Sequence, residues 1–450
     1  MQISATTGAA AADRSQRRPL AIGRLVTSTP VLLVVITLVG LGLRLAWVAS
    51  EETTIVGGDP LWYHTVATNI AEGRGYVIDW TEDRLEVAGP GEPTAFWPPG
   101  YPVALGGVYK AFGVDVDAAQ MFNALLGALA IPLVFLLGRA LADDPVGLVA
   151  ALIYALLPEP IVASVLLISE FLFTIVFMAA LTVLARRPSG AGVWTAIAFG
   201  ALAGLAVLTR GQGLVLLPVA AVFWLARDGL RSGARSLALA AVAFALVLIP
   251  WTVRNAVVMD GFVPVATSAG INLRIGHSPD SVGNMIWPET IDEMDEGSAF
   301  YYAMQPDEET RRSGIYTDRA WEYAREHPSE ELDLAAQKLS WLFRSDPDEW
   351  IVQIETLGAT PVEPEWLAEP LETVLAVSHY ALLALAALSL PFWMARRDSS
   401  VVLLSSVVIF YALFHVLFFA QPRFHLPLLP VLAVAAAWPP VASWTALARR

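Results

Sequence analysis

Two carboxylates sit where a carboxylate is hardest to explain. Asp59 lies in Gly57-Gly58-Asp59-Pro60-Leu61-Trp62-Tyr63-His64, shortly after a long apolar run from Pro30 to Ala49. Glu170 lies in Leu166-Leu167-Ile168-Ser169-Glu170-Phe171, within an apolar run over 161–184. A carboxylate at a membrane surface among aromatic rings can be tuned into a general base. One inside an apolar run marks function by default, because placing it at the bilayer centre costs roughly 2.5–3.5 kcal/mol. Three arginines end apolar runs on the side that positive charge avoids: Arg210 in Leu208-Thr209-Arg210-Gly211, Arg254 in Trp251-Thr252-Val253-Arg254-Asn255, and Arg423 in Gln421-Pro422-Arg423-Phe424-His425. Grouped opposite Asp59, they would form a ring of forked donors for a phosphate. Each has a plainer reading alone. Asp59 could cap a helix whose first residue is Pro60, Glu170 could pair with an internal arginine such as Arg44, and the three arginines could snorkel.

Further binding candidates surround these charges. Tyr63 and His64 come one helical turn after Asp59. Phe96-Trp97-Pro98-Pro99-Gly100-Tyr101-Pro102 packs prolines and aromatics into a stiff amphipathic segment that suits the lining of a groove at headgroup level, with Lys110 following. The full substrate-binding set is therefore Tyr63, His64, Tyr101, Lys110, Arg210, Arg254, Arg423 and His425, with Asp59 and Glu170 as catalytic candidates. The outer carboxylates could hold a divalent metal, but His64 and His425 show no ligand spacing, so no metal ligands are assigned. The chain has no cysteine, which removes thiolate nucleophiles, disulfides and iron–sulfur clusters.

The elements that must position these residues are membrane helices. Of 450 residues, 56% are hydrophobic and only 16% charged, and the mean hydropathy is +0.57; a soluble domain carries about 25% charge. The net charge of −14 argues against a nucleic-acid partner. Ten apolar runs are candidate spans: 30–49, 118–138, 146–157, 161–184, 194–209, 213–226, 236–253, 371–394, 401–419 and 424–447. With the N-terminus inside, every inside segment is basic, as short cytoplasmic loops are. These segments hold 14 arginines (14, 17, 18, 24, 139, 186, 187, 227, 231, 235, 396, 397, 449 and 450) against 5 aspartates (13, 143, 144, 228 and 398). A crossing at 98–113 would invert every later loop, so that run is expected to be an outer-surface helix. By the same parity, 146–157 and 161–184 form a hairpin whose outer tip is Pro158-Glu159-Pro160.

The expected architecture is an all-α polytopic membrane protein of about ten spans. It has a cytoplasmic tail (1–29), a transmembrane catalytic module (30–254, with the outer loop 50–117), an extracytoplasmic soluble domain (255–370) and C-terminal spans (371–450). The soluble segment holds 23 acidic and 7 basic residues, with helical periodicity over 321–325 and 332–343.

The ordered motifs resemble bacterial GT-C membrane glycosyltransferases, relatives of protein O-mannosyltransferases and lipid A aminoarabinose transferases. The resemblance is carried by the aspartate ahead of a Tyr-containing helix, Pro-Pro-Gly-Tyr-Pro, Ser169-Glu170 and Leu-Thr-Arg. It continues through Pro-Trp-Thr-Val-Arg-Asn, Phe262-Val263-Pro264, Asn272 and a closing Pro-Arg-Phe-His-Leu-Pro-Leu-Leu-Pro. It implies a hexosyl- or pentosyltransferase that moves sugar, with inversion, from a polyprenyl-phosphate carrier to an envelope glycan, lipid or protein hydroxyl on the outer face of the plasma membrane, with both termini cytoplasmic. It also carries Asp59 over as the catalytic carboxylate and Glu170 as the second acidic residue. The Pro60 that follows Asp59 departs from the Asp-Glu pair usual in protein O-mannosyltransferases. The rivals are a transporter or lipid flippase, against which the lack of matched halves speaks, and a glycan ligase using a diphosphate-linked oligosaccharide.

Overall fold

Within hydrocarbon a backbone can satisfy its polar groups only internally, so uninterrupted apolar runs must coil into helices. The computed structural model describes residues 28–50, 57–78, 91–186, 192–285, 306–346, 368–396, 398–438 and 441, and among them it is built of 15 α-helices and one two-stranded antiparallel pair. The first helix, α1 (Thr29–Ser50), packs against α4 (Val116–Leu141) and α5 (Asp144–Leu156). Between α1 and α4 the chain forms α2 (Gly58–Ala71), the strands β1 (Val77–Ile78) and β2 (Glu92–Pro93), and α3 (Gly100–Phe112). At 13 residues α3, within the run 98–113, is a short helix packed on α2.

The hairpin expected from 146–157 and 161–184 takes another form. After α5, with prolines at 158 and 160, the chain bends by 54°. It then makes the short α6 (Pro158–Val162) and a 3-10 turn at Ala163–Val165, and re-enters helix only at α7 (Glu170–Ala185). Glu170 is thus the first residue of a helix and not a mid-span residue. That is a better place for a carboxylate, since the free N–H groups of the first turn favour negative charge.

Next come α8 (Gly192–Thr209), a 3-10 turn at Gly211–Val215, and α9 (Leu216–Val258). Within α9, Gly229 adopts φ 76° and ψ 172°, a left-handed geometry natural to glycine. It divides α9 into two arms, which correspond to the runs expected at 213–226 and 236–253. The segment after α9 contributes α10 (Ser268–Gly276), α11 (Pro306–Glu326) and α12 (Pro328–Phe343). The last part contributes α13 (Ala368–Ala395), α14 (Ser399–Leu417), a 3-10 turn at Pro422–His425 and α15 (Leu429–Ala436).

Six segments among the described residues are long and apolar enough to cross a membrane, or seven if the bent pair 144–156 and 158–165 is one span. The difference from ten has identifiable sources. The two arms of α9 lie in one continuous segment, α7 has only 16 residues, and the last run is described as α15 without most of its C-terminal continuation. The protein is an all-α polytopic membrane protein, its core filled by facing apolar side chains of α4, α5, α7, α8, α14 and α15.

Candidate active site

Four charged residues from four separate segments meet in one ladder. Asp59 stands in the first turn of α2, which begins two residues earlier than a cap at Asp59 would require. Gly57 is the N-cap, Gly58 takes φ 59°, and no side chain caps the helix. The Asp59 carboxylate is therefore free of backbone duty and accepts a hydrogen bond from Arg423 Nη2 at 2.7 Å. Arg423 leans its Nε toward Glu170 Oε1 at 3.9 Å and donates to Gln421 Oε1 at 3.0 Å. The second oxygen of Glu170 meets Arg210 Nη1 at 2.9 Å. Arg210 Nη1 also donates to Ser169 Oγ at 2.8 Å, and its Nε to Gln212 Oε1 at 3.2 Å. The ring of Phe424 lies 5.4 Å from the Arg210 guanidinium and 5.6 Å from that of Arg423, so one aromatic ring serves both cations.

Burial separates the two acids. The Glu170 side chain is 2% exposed and Asp59 20%. Glu170 Oε1 has no hydrogen-bond partner, so the glutamate is a buried counter-ion held between two guanidiniums. Asp59 is the more exposed of the two carboxylates.

An aromatic wall supports the ladder. The Tyr63 hydroxyl lies 3.2 Å from Ser169 Oγ, and its ring meets Tyr101 edge-on at 5.0 Å. Tyr101 donates to Asn123 Oδ1 (3.0 Å), and Asn123 in turn donates to the Leu166 carbonyl at 2.6 Å, which fixes the extended piece ahead of Glu170. A Cβ at Gly100 would come within 2.7 Å of Thr209 Oγ1 and 2.9 Å of the Leu208 carbonyl. The Pro-Pro-Gly-Tyr-Pro element thus lies directly against the Leu-Thr-Arg turn that carries Arg210.

The structure does not bring every candidate to this ladder. Arg254, expected in the same ring, donates to the carbonyls of Thr94 at 2.7 Å and Tyr76 at 2.8 Å and stacks over Trp251. It braces the stretch between α2 and α3. His64 shares a 2.7 Å hydrogen bond with the Tyr109 hydroxyl on the α3 side of α2, where burial pushes its pKa down. Lys110 is exposed in the last turn of α3, where a cation suits the helix C-terminus. His425 follows Arg423 by two residues yet turns away, to Glu159 and the Leu342 carbonyl. Arg44, weighed as a partner for Glu170, instead donates to the carbonyls of Gly40 and Ala155.

One anchoring residue escapes sequence reasoning altogether. Glu309, on α11, accepts from the Thr94 hydroxyl at 2.9 Å, the Ala95 amide at 3.0 Å and the Thr267 hydroxyl. It is one of 23 acidic residues in that segment, and only the fold singles it out. Burial raises its pKa against the opposing pull of these donors.

In fold, this all-α membrane bundle resembles GT-C glycosyltransferases. Residues 97–253 match the family described as dolichyl-phosphate-mannose-protein mannosyltransferase; the match includes Tyr101, Glu170 and Arg210 but not Asp59 or Arg423. Among solved structures, the Archaeoglobus fulgidus oligosaccharyltransferase in complex with zinc and sulfate superposes with a TM-score of 0.55 at 19% identity, over 92% of this chain and 49% of that one. The same organism's oligosaccharyltransferase AglB with an inhibitory peptide and a dolichol-phosphate gives 0.54 at 18%, over 93% and 51%. ArnT from Cupriavidus metallidurans bound to undecaprenyl phosphate gives 0.43 at 17%, over 92% and 78%. The chain spans about half the length of the oligosaccharyltransferases, and what it shares with them is the fold. No curated protein matches the chain in sequence.

Proposed function

We propose that the chain is an inverting glycosyltransferase that moves a hexosyl or pentosyl group from a polyprenyl-phosphate carrier to a hydroxyl of an envelope glycan, lipid or protein. The reaction takes place on the outer face of the plasma membrane, with the termini of the chain inside. The observation that carries this reading is the ladder Asp59–Arg423–Glu170–Arg210, with its more exposed carboxylate at one end and two guanidiniums held by a buried one. Asp59 accepts the proton of the acceptor hydroxyl as that oxygen attacks the anomeric carbon. The bond from carbon to the carrier phosphate oxygen breaks and its electron pair stays on the phosphate. Arg423 and Arg210 stabilise the charge that develops there, and a phosphate leaving group so held needs little acid catalysis. Glu170 keeps the two forks aimed and spaced. Tyr63 and Tyr101 line the approach, while Arg254, His64, Lys110 and His425 act at the margin of the site through its loops and helices.

The family match over 97–253 and the shared fold support the class of reaction. The printed ligands of AglB and ArnT, dolichol-phosphate and undecaprenyl phosphate, belong to the carrier class named here. The test is mass spectrometry of lipids retained by the protein purified in mild detergent. A polyprenyl-phosphate sugar, depleted in Arg423→Ala, is expected. Retention of no such lipid, together with no binding of added polyprenyl phosphate, would contradict the reading.

A further inference from the structure

Outside the ladder, Glu159, His379 and His425 converge in full burial, their side chains 0%, 1% and 1% exposed. Glu159 comes from α6, His379 from α13 and His425 from the 3-10 turn that also carries Arg423. One ligand atom from each lies within 4.8 Å of the other two. His379 Nδ1 is 3.3 Å from Glu159 Oε1, and His425 Nε2 is 3.0 Å from Glu159 Oε2. On the far side of each ring the partner is a backbone carbonyl: Phe343 O at 2.9 Å from His379 Nε2, and Leu342 O at 3.0 Å from His425 Nδ1.

Those carbonyls decide the tautomers. A carbonyl only accepts, so the ring nitrogen facing it must carry the proton. In a neutral imidazole the nitrogen facing Glu159 then has a bare lone pair. Two bare nitrogens and a carboxylate, three electron-rich groups pointed at one another in a dry place, repel unless something positive lies between them. Glu159 Oε1 has no hydrogen-bond partner. The two nitrogen–oxygen separations, 3.3 and 3.0 Å to the two oxygens of Glu159, are close to the edge of a tetrahedron, about 3.3 Å for metal–ligand bonds of about 2.0–2.1 Å. Backbone carbonyls that hold the outer nitrogen of a metal-bound histidine are the usual second layer of such a site.

We propose that Glu159, His379 and His425 bind one divalent transition metal of the zinc class through the Glu159 carboxylate, His379 Nδ1 and His425 Nε2. Its role is structural. It ties α6, α13 and the 422–425 turn to the C-terminal end of α12, which supplies Leu342 and Phe343, and so fixes the turn from which Arg423 reaches Asp59. The site is separate from the ladder and stands whether or not the transferase reading does.

The test uses the full-length protein in detergent, stripped with chelator, reloaded with Zn²⁺ and assayed by elemental mass spectrometry, with Co²⁺ as the spectroscopic probe. The expected result is one tightly held equivalent, with visible Co²⁺ bands of a low-coordinate, histidine-ligated site. Metal content should be unchanged in Asp59→Asn and should fall at least tenfold in Glu159→Gln, His379→Ala and His425→Ala. Should those variants fail to fold, the Co²⁺ spectrum of the unmodified protein decides alone. A protein that neither retains Zn²⁺ nor gives Co²⁺ bands overturns the proposal. So does a metal lost in Asp59→Asn but kept in His379→Ala.

Discussion

Asp59 and Glu170 are both carboxylates facing arginine, and their exposure assigns them different work. Removing the charge of Glu170 leaves the guanidiniums of Arg210 and Arg423 without their buried counter-ion, and breaking a buried pair costs about 3–5 kcal/mol. Glu170→Gln is therefore expected to lower the thermal midpoint markedly in addition to reducing transfer, as read by fluorescence-detected unfolding beside an activity assay. Arg423 makes contact through two different nitrogens, Nη2 to Asp59 and Nε to Gln421. A lysine has one charged nitrogen and cannot make both contacts in a fixed plane. Arg423→Lys should lose at least tenfold in kcat/KM, about 1.4 kcal/mol of transition-state stabilisation, and a variant with unaltered kinetics would show that charge alone suffices.

Two helix contacts position the site, and each makes a prediction. Gly100→Ala would place a methyl group against Thr209 Oγ1 and the Leu208 carbonyl. It should displace the turn that carries Arg210, lowering both thermal stability and transfer, while Gly107→Ala, with open space around it, should do neither. On the outer side, Lys338 of α12 donates to the Val416 carbonyl of α14 at 3.0 Å, and burial depresses its pKa to about 8. The unfolded chain then binds more protons than the folded one between pH 8 and about 10.5, so Lys338 adds stability as pH rises through that window, at up to about 1.4 kcal/mol per pH unit. Lys338→Met should remove this rise in denaturation measured across the window.

The same helices show what the sequence made legible. Apolar runs and arginine spacing suffice to read α1, α4, α8, α13 and α14, and a charge without a local partner suffices to mark Asp59, Glu170, Arg210 and Arg423. The break ahead of Glu170 was hidden, because Ala163–Ile168 is as apolar as a helix interior. Glu159 reads as the polar tip of a turn, and His379 as one of several polar residues in an apolar span. Their meeting with His425 depends on contacts across 220 and 266 residues, which no local spacing records. Arg254 carries the same outer-end signal as Arg210 and Arg423. Only its carbonyl partners distinguish a brace from a member of the ladder.

At the scale of the whole molecule, the described membrane bundle holds a charged ladder, and the stretch between α2 and α3 is fastened to the rest by a cation and an anion. Arg254 holds the Thr94 and Tyr76 carbonyls from the bundle, and Glu309 holds Thr94 and Ala95 from α11. This arrangement sets the more exposed carboxylate, Asp59, beside the Arg423 guanidinium, and the proposed reaction uses it as the base. The central claim is that Asp59 accepts the proton of the attacking hydroxyl. The most direct measurement is transfer of labelled sugar from polyprenyl phosphate to an envelope-derived acceptor fraction in proteoliposomes, comparing the unmodified protein with Asp59→Asn. Binding of polyprenyl phosphate and the thermal midpoint are measured on the same samples. The account predicts a loss of at least a thousandfold in turnover with carrier binding and fold retained, since Asp59 is not a helix cap and its removal leaves Arg210 paired with Glu170. Turnover of Asp59→Asn within a few-fold of the unmodified protein would contradict it.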